Sequence, residues 1–154
     1  MAKSHQAKGQ VSLEYLLIVA LTFAIIIPTT YLFYSYSKES SQEIIDAQIT
    51  KLGRSITDSS ETIFYSGIGS KTTLDLNIPN SINNVLIIDG RELVFNVTTS
   101  FGISEIVFFS SVNLTTDGSN CNINVCSIPD LSGEGLKQVR IESVSKDSVS
   151  ITTI

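Results

Sequence analysis

Tyr15–Ser37 reads YLLIVALTFAIIIPTTYLFYSYS, 23 consecutive residues without Asp, Glu, Lys, Arg or His. About 20 apolar residues carry a helix across the hydrocarbon core of a bilayer, so this stretch is long enough to span one. Leu16, Leu17, Ile18, Val19, Ala20, Leu21, Phe23, Ala24 and Ile25–Ile27 would surround a helix with apolar side chains. Such a helix is buried, in lipid or in a bundle core. Pro28 interrupts the run. It lacks one backbone donor and clashes with the carbonyl four residues back. A kink or short melted turn is therefore predicted near Ala24–Pro28, with Thr29 and Thr30 available to satisfy the freed groups. Tyr31, Tyr34 and Tyr36 suit an interfacial aromatic belt, or packing between neighbouring helices.

Beyond Lys38 the period changes. Ile45, Ile49, Leu52, Ile56 and Ile63 recur at helical steps, the pattern of one apolar face. Glu43, Asp46, Lys51 and Arg54 fill the other positions. Gly53 weakens this helix by about 1 kcal/mol relative to Ala without breaking it, and Gly67-Ile68-Gly69 ends it. Residues 11–64 thus read as one kinked helix of about 80 Å at 1.5 Å per residue.

From Thr72 onward strand signals dominate. Leu74, Leu76 and Ile78 alternate with polar residues. Val85–Ile88 and Leu93–Val97 flank Asp89-Gly90, a strong hairpin signal. Ile103–Leu114 forms another apolar run, in which Phe108 and Phe109, like the preceding Phe101, are expected to serve the core. Val139, Ile141, Val149 and Ile151 suggest a last hairpin turning near Lys146-Asp147. Six or seven short strands are expected, in a compact antiparallel sheet or sandwich. The fold class is α+β: a long N-terminal hydrophobic helix, then a β-rich head domain at 70–154.

Composition narrows the function. Ten Lys plus Arg face fifteen Asp plus Glu, for a formal net charge of -5. An acidic chain without a basic patch is a poor nucleic-acid binder, because phosphate contacts supply most of that affinity. The single His is His5, Trp is absent, and no nucleophile–base or metal-ligand grouping stands out. Gly67-x-Gly69 lacks the Lys and the preceding strand of a phosphate loop. No catalytic residue, metal or cofactor is expected; the chain does not read as an enzyme.

The N-terminus carries Lys3 and Lys8 and no acid before the apolar span, which keeps that end in the cytoplasm and puts the large domain outside. An ordinary secretory signal has an apolar core of about 7–15 residues and a small-residue cleavage site. Here the run is longer, and no Ala-x-Ala closes it. Glu14 lies at the start of the apolar stretch, in Gln10-Val11-Ser12-Leu13-Glu14-Tyr15. A carboxylate at membrane depth costs several kcal/mol unless paired, which marks it as functional by default; at the edge of the span it would reach the headgroups instead.

Lys8-Gly9, then Gln10, Ser12 and Glu14, then an uninterrupted apolar helix, resembles the class III signal peptide of archaeal type IV pilins. The resemblance covers residues 3–37. It implies a leader at 1–9, cut after Gly9 by a membrane-embedded prepilin peptidase. It also implies a helix at 10–64, whose 10–37 part lies in the membrane or filament core and whose 38–64 part is amphipathic. Cleavage would remove both leader lysines and expose the α-amine of Gln10. The family's glutamate, here Glu14, would pair with the amino terminus of a neighbouring subunit, a pairing that selects register more than it adds stability. Cyclisation of Gln10 to pyroglutamate would remove that amine.

Cys121 and Cys126 are the only cysteines. With no second pair and no nearby His they do not form a four-ligand zinc site. Outside the cell, a disulfide closing a small loop is the natural reading, contributing about 2 kcal/mol by loop entropy. Asn96-Val97-Thr98 and Asn113-Leu114-Thr115 are candidate N-glycosylation acceptors for an extracellular domain. Asn96 is the poorer one if it sits inside its strand.

The expected function is a structural subunit of an extracellular type IV pilus-like filament, serving adhesion. Its partners would be further copies of itself in a helical homopolymer, the prepilin peptidase, the pilus assembly platform with its ATPase machinery, and the membrane before assembly. The alternatives are a membrane-anchored surface protein that binds a sugar or a cell, and an archaellin-like filament subunit.

Overall fold

The computed structural model describes residues 4–99, 102–116 and 121–154, with side chains from Leu13 onward except Pro129. One helix, α1 (Ser4–Ser66), precedes nine strands among the described residues, where six or seven were expected. They are β1 (Lys71–Ile78), β2 (Ile82–Ile88), β3 (Glu92–Thr99), β4 (Gly102–Phe109), β5 (Asn113–Thr115), β6 (Cys121–Asn122), β7 (Val125–Ser127), β8 (Gly135–Ser143) and β9 (Ser148–Thr153). A 3₁₀ turn at Pro129–Leu131 leads into β8. The extra strands are the short β5, β6 and β7, too brief to leave an alternating pattern. The chain divides into two units, Met1–Ser41 and Gln42–Ile154.

The first unit is helix. α1 continues through Pro28, so the predicted melted turn does not form. Pro28 costs Ala24 its one donor, whereas melting a turn would strip several carbonyls of theirs. Thr29 and Thr30 do not cap the freed carbonyl. Their hydroxyls donate to Ile25 O at 2.7 Å and Ile26 O at 2.8 Å, as Thr22 does to Ile18 O at 2.8 Å. Each hydroxyl is satisfied inside the helix, which lets Thr sit in an apolar segment at little cost.

The second unit is a two-layer β-structure with the last six turns or so of α1 as its third wall. The four-stranded sheet runs β1-β8-β9-β5 and the five-stranded sheet β4-β3-β2-β7-β6. The expected hairpins are present. Asp89 (φ 51°) and Gly90 (φ 67°) turn β2 into β3, and Arg91 N–H closes the turn on Ile88 O at 3.1 Å. β8 and β9 pair antiparallel with Ile141 opposite Ile151. One ladder departs from expectation: β5 pairs parallel to β9, Asn113 beside Ser148. The run read as one strand, Ile103–Leu114, is two. It breaks at Ser110–Val112 and crosses from the five-stranded to the four-stranded sheet, entering beside the start of β9.

The core lies between the sheets. Leu76, Ile78, Val139, Ile141, Val149 and Ile151 come from one sheet; Val85, Ile87, Leu93, Phe95 and Val97 come from the other. Ile49, Leu52 and Ile56 of α1 complete it, with Ile45 and Ile63 packed at its margin, as the helical spacing predicted. Thr57 and Ser60 are buried on that face; their hydroxyls donate to Gly53 O at 3.0 Å and Ile56 O at 2.8 Å. Gly53 has a role that propensity alone misses: a Cβ there would run into the Phe108 ring of β4. Phe108 also meets Phe95 edge-on, with ring centroids 5.7 Å apart. At the end of α1, Gly67 (φ 101°) and Gly69 (φ 85°) turn the chain into β1, and Gly69 N–H donates to Ser143 O at 2.8 Å.

Candidate assembly and modification sites

Among the described residues, the apolar side chains of the first unit are open to solvent. Leu16 is 69% exposed, Ile27 64% and Phe33 73%. Tyr31, Tyr34 and Tyr36 are equally open, and the Lys38 ammonium lies 5.3 Å from the Tyr34 ring centroid. The helix is long and apolar enough to cross a membrane. Glu14 is exposed on it and is the sole charged residue between Lys8 and Lys38. Lys8, Gly9, Gln10 and Ser12 belong to the helical backbone of α1; their side chains lie outside the described residues. Gln10 and Glu14 are one helical turn apart in sequence, so the motif occupies a single turn.

The expected Cys121–Cys126 disulfide is formed. The two residues face each other across the β6–β7 ladder, at the edge of the five-stranded sheet. At the tip of that loop Ile123 adopts φ 53° and is 97% exposed. Left-handed backbone is costly for a β-branched residue, and this one gains no burial in return.

The two candidate glycosylation acceptors differ in setting. Asn96 lies within β3, between Asn84 of β2 and Glu105 of β4. It is half-buried, and its Oδ1, like that of Asn84, is buried without a hydrogen-bond partner. Asn113 is exposed at the start of β5, the edge strand of its sheet. Its side chain rests over Gly90, where a Cβ would meet Asn113 Oδ1. The sequon pattern is equal at the two sites; accessibility is not.

The outer faces of the two sheets also differ. On the four-stranded sheet Lys71, Thr73, Asp75, Gln138, Arg140 and Ser150 point away from the core. On the five-stranded sheet two of the outward rows are mainly apolar. Leu86, Val94 and Val107 stand in one row across β2, β3 and β4; Ile88, Glu92 and Phe109 stand in the next. Val94 is only 2% exposed although it lies outside the core cluster. Phe109, expected in the core, is 74% exposed on this face. Phe101 lies outside the described residues. A signal for the face was present in the sequence. Val85–Ile88, Leu93–Phe95 and Ile106–Phe109 are apolar at every position, a pattern that means burial on both faces, and the core accounts for one.

Glu61 marks another contact that spacing did not reveal. Its Oε1 accepts from Ser111 Oγ at 2.7 Å and from Ser111 N–H at 3.2 Å, tying α1 to the β4–β5 crossing. These two donors, the hydroxyl first, hold its carboxyl below the ordinary glutamate value, against a slight upward push from burial. Among the described residues no group of three or more His, Cys, Asp or Glu is placed to hold a metal ion. No family model, curated protein or solved structure matches this chain.

Proposed function

We propose that this chain is the structural subunit of an extracellular type IV pilus-like filament. It is made as a membrane precursor with a cytoplasmic N-terminus, cut after Gly9 by a prepilin peptidase, and polymerised through the apolar part of α1. The observation that carries the reading is a helical segment apolar on all sides and exposed at all but Val19, directly after Lys8-Gly9-Gln10-x-Ser12-x-Glu14. Such a surface needs lipid before assembly and neighbouring helices after it. Lipid tails are as apolar as Leu, so apolarity does not favour one over the other. Packing and the Glu14 carboxylate supply the preference: processing creates an ammonium on Gln10, and charge pairing between subunits sets their register. The β-rich unit is then displayed outside the cell, where the disulfide persists and adhesion is its role.

N-terminal mass analysis of sheared surface filaments and of washed membranes tests the proposal. A chain starting at Gln10 in the sheared fraction is the expected result. The same mature chain found in membranes alone points to an anchored surface-binding protein. An intact Met1, or cleavage beyond Pro28, overturns the reading. A Gln10 that has lost ammonia to form pyroglutamate removes the amine and transfers the pairing of Glu14 to another donor.

A further inference from the structure

The outer face of the five-stranded sheet combines apolar rows with a one-signed charge. Ile103, Val107 and Phe109 of β4 are its exposed apolar residues, with Leu86 and Ile88 half-buried and Val94 buried beside them; Glu92 and Glu105 are its ionisable groups, and no Lys or Arg occupies an outward strand position on β2, β3 or β4. Patches of this kind on a soluble surface mark interaction sites. The charges also limit what covers it. A second copy docking through the same face would set carboxylates against carboxylates, which is destabilising.

Another face of the same unit carries the complement. Ile44, Ala47, Lys51 and Arg54 form one stripe on α1, at steps of three and four. All four are exposed, Ile44 at 58%. Ile44 to Arg54 spans about 15 Å at 1.5 Å per residue. Glu105 to Phe109 on β4 spans about 14 Å at 3.4 Å per residue. An α1 stripe laid along β4 therefore brings Ile44 to Phe109 and the Lys51–Arg54 pair to Glu105. We propose that the outer face of the five-stranded sheet is a subunit interface that receives the Ile44–Arg54 stripe of the next copy. Two different patches meet in this contact, so it is heterologous, and a heterologous contact that does not close propagates as an open helical array. The proposal rests on the filament reading above and names the surface through which the β-rich units join.

The test uses the full chain in its native filaments, with the photoreactive p-benzoyl-phenylalanine in place of Phe109. Irradiation of sheared filaments should give a covalent dimer whose linked peptide is Glu39–Lys51 of a second copy. Glu105→Lys should reduce that dimer at least tenfold, and adding Arg54→Glu should restore it; both residues are exposed, so neither change threatens the core. Dimers linked through residues 84–109 of both copies would mean a symmetric contact and overturn the proposal. Adducts to a different protein, or monomer alone, would overturn it as well. If sheared fractions hold a chain starting at Gln10 while the cross-links go elsewhere, only this interface falls. If they hold none of the chain, the filament reading falls first.

Discussion

Glu61 reaches from α1 to the loop where the chain changes sheets, and two donors from Ser111 stabilise its ionised form. A carboxyl whose folded value lies below its ordinary 4.5 contributes stability above that value and loses it as pH falls through the lowered one. The melting temperature of the β-rich unit in the detergent-solubilised chain should therefore drop on acidification below about pH 5, and Glu61→Gln should flatten that part of the profile. An unchanged profile would mean that the bond adds no stability. Gly53 shows a larger effect at a single position. Gly→Ala in an exposed helix gains about 1 kcal/mol, but here the new methyl meets Phe108, and overpacking costs about 1–3 kcal/mol. Gly53→Ala should lower stability by denaturant titration, and Gly53→Ala combined with Phe108→Ala should lower it by less than the sum of the two single changes. At the sequons, glycan attached by the native cell should be found on Asn113, at a sheet edge, and not on Asn96, whose amide lies between two strands. Glycopeptide mass spectrometry decides it, and occupancy at Asn96 would contradict the described burial.

Elements defined by local chemistry were legible in the sequence, and elements defined by topology were not. The α1 face was legible because Ile49, Leu52 and Ile56 need only their own period, and all three are buried. Asp89-Gly90 announced its hairpin because left-handed backbone at successive positions selects those residues. Cys121–Cys126 closed as expected because no other thiol competes. The parallel partnership of β5 with β9 has no local signature, since register between distant strands depends on the path of the whole chain. Phe109 was misread because an apolar run gives no parity: Phe108 faces Gly53 and Phe109 the outside. The melted turn expected at Pro28 is absent because the proline costs one bond, fewer than a melted turn would lose. The disulfide loop carries its own prediction. Cys121 and Cys126 are five residues apart, so Cys121→Ser with Cys126→Ser should cost about 2 kcal/mol by loop entropy. A loss much above that, by denaturant titration, would show that the bridge also supports the sheet edge.

For the molecule in the proposed filament, the decisive feature is charge sparsity along the apolar part of α1. From Gly9 to Ser37 Glu14 is the only charged side chain, so an uncompensated carboxylate there disfavours subunit packing unless a cation meets it. The proposed cleavage after Gly9 would make one, on Gln10. In the proposed pathway the peptidase acts before assembly and reads Lys8-Gly9 and the residues around them, so the two steps are separable by mutation. Glu14→Ala should leave the mature start at Gln10 intact in the membrane fraction and reduce sheared filaments at least tenfold. Glu14→Gln, which keeps size and hydrogen bonding while removing charge, should behave like Glu14→Ala if charge pairing sets the register. Normal filament yield from Glu14→Ala would reject the pairing. A precursor still starting at Met1 would instead assign Glu14 to recognition by the peptidase, because an uncut chain offers no α-amine on Gln10 for the carboxylate to meet.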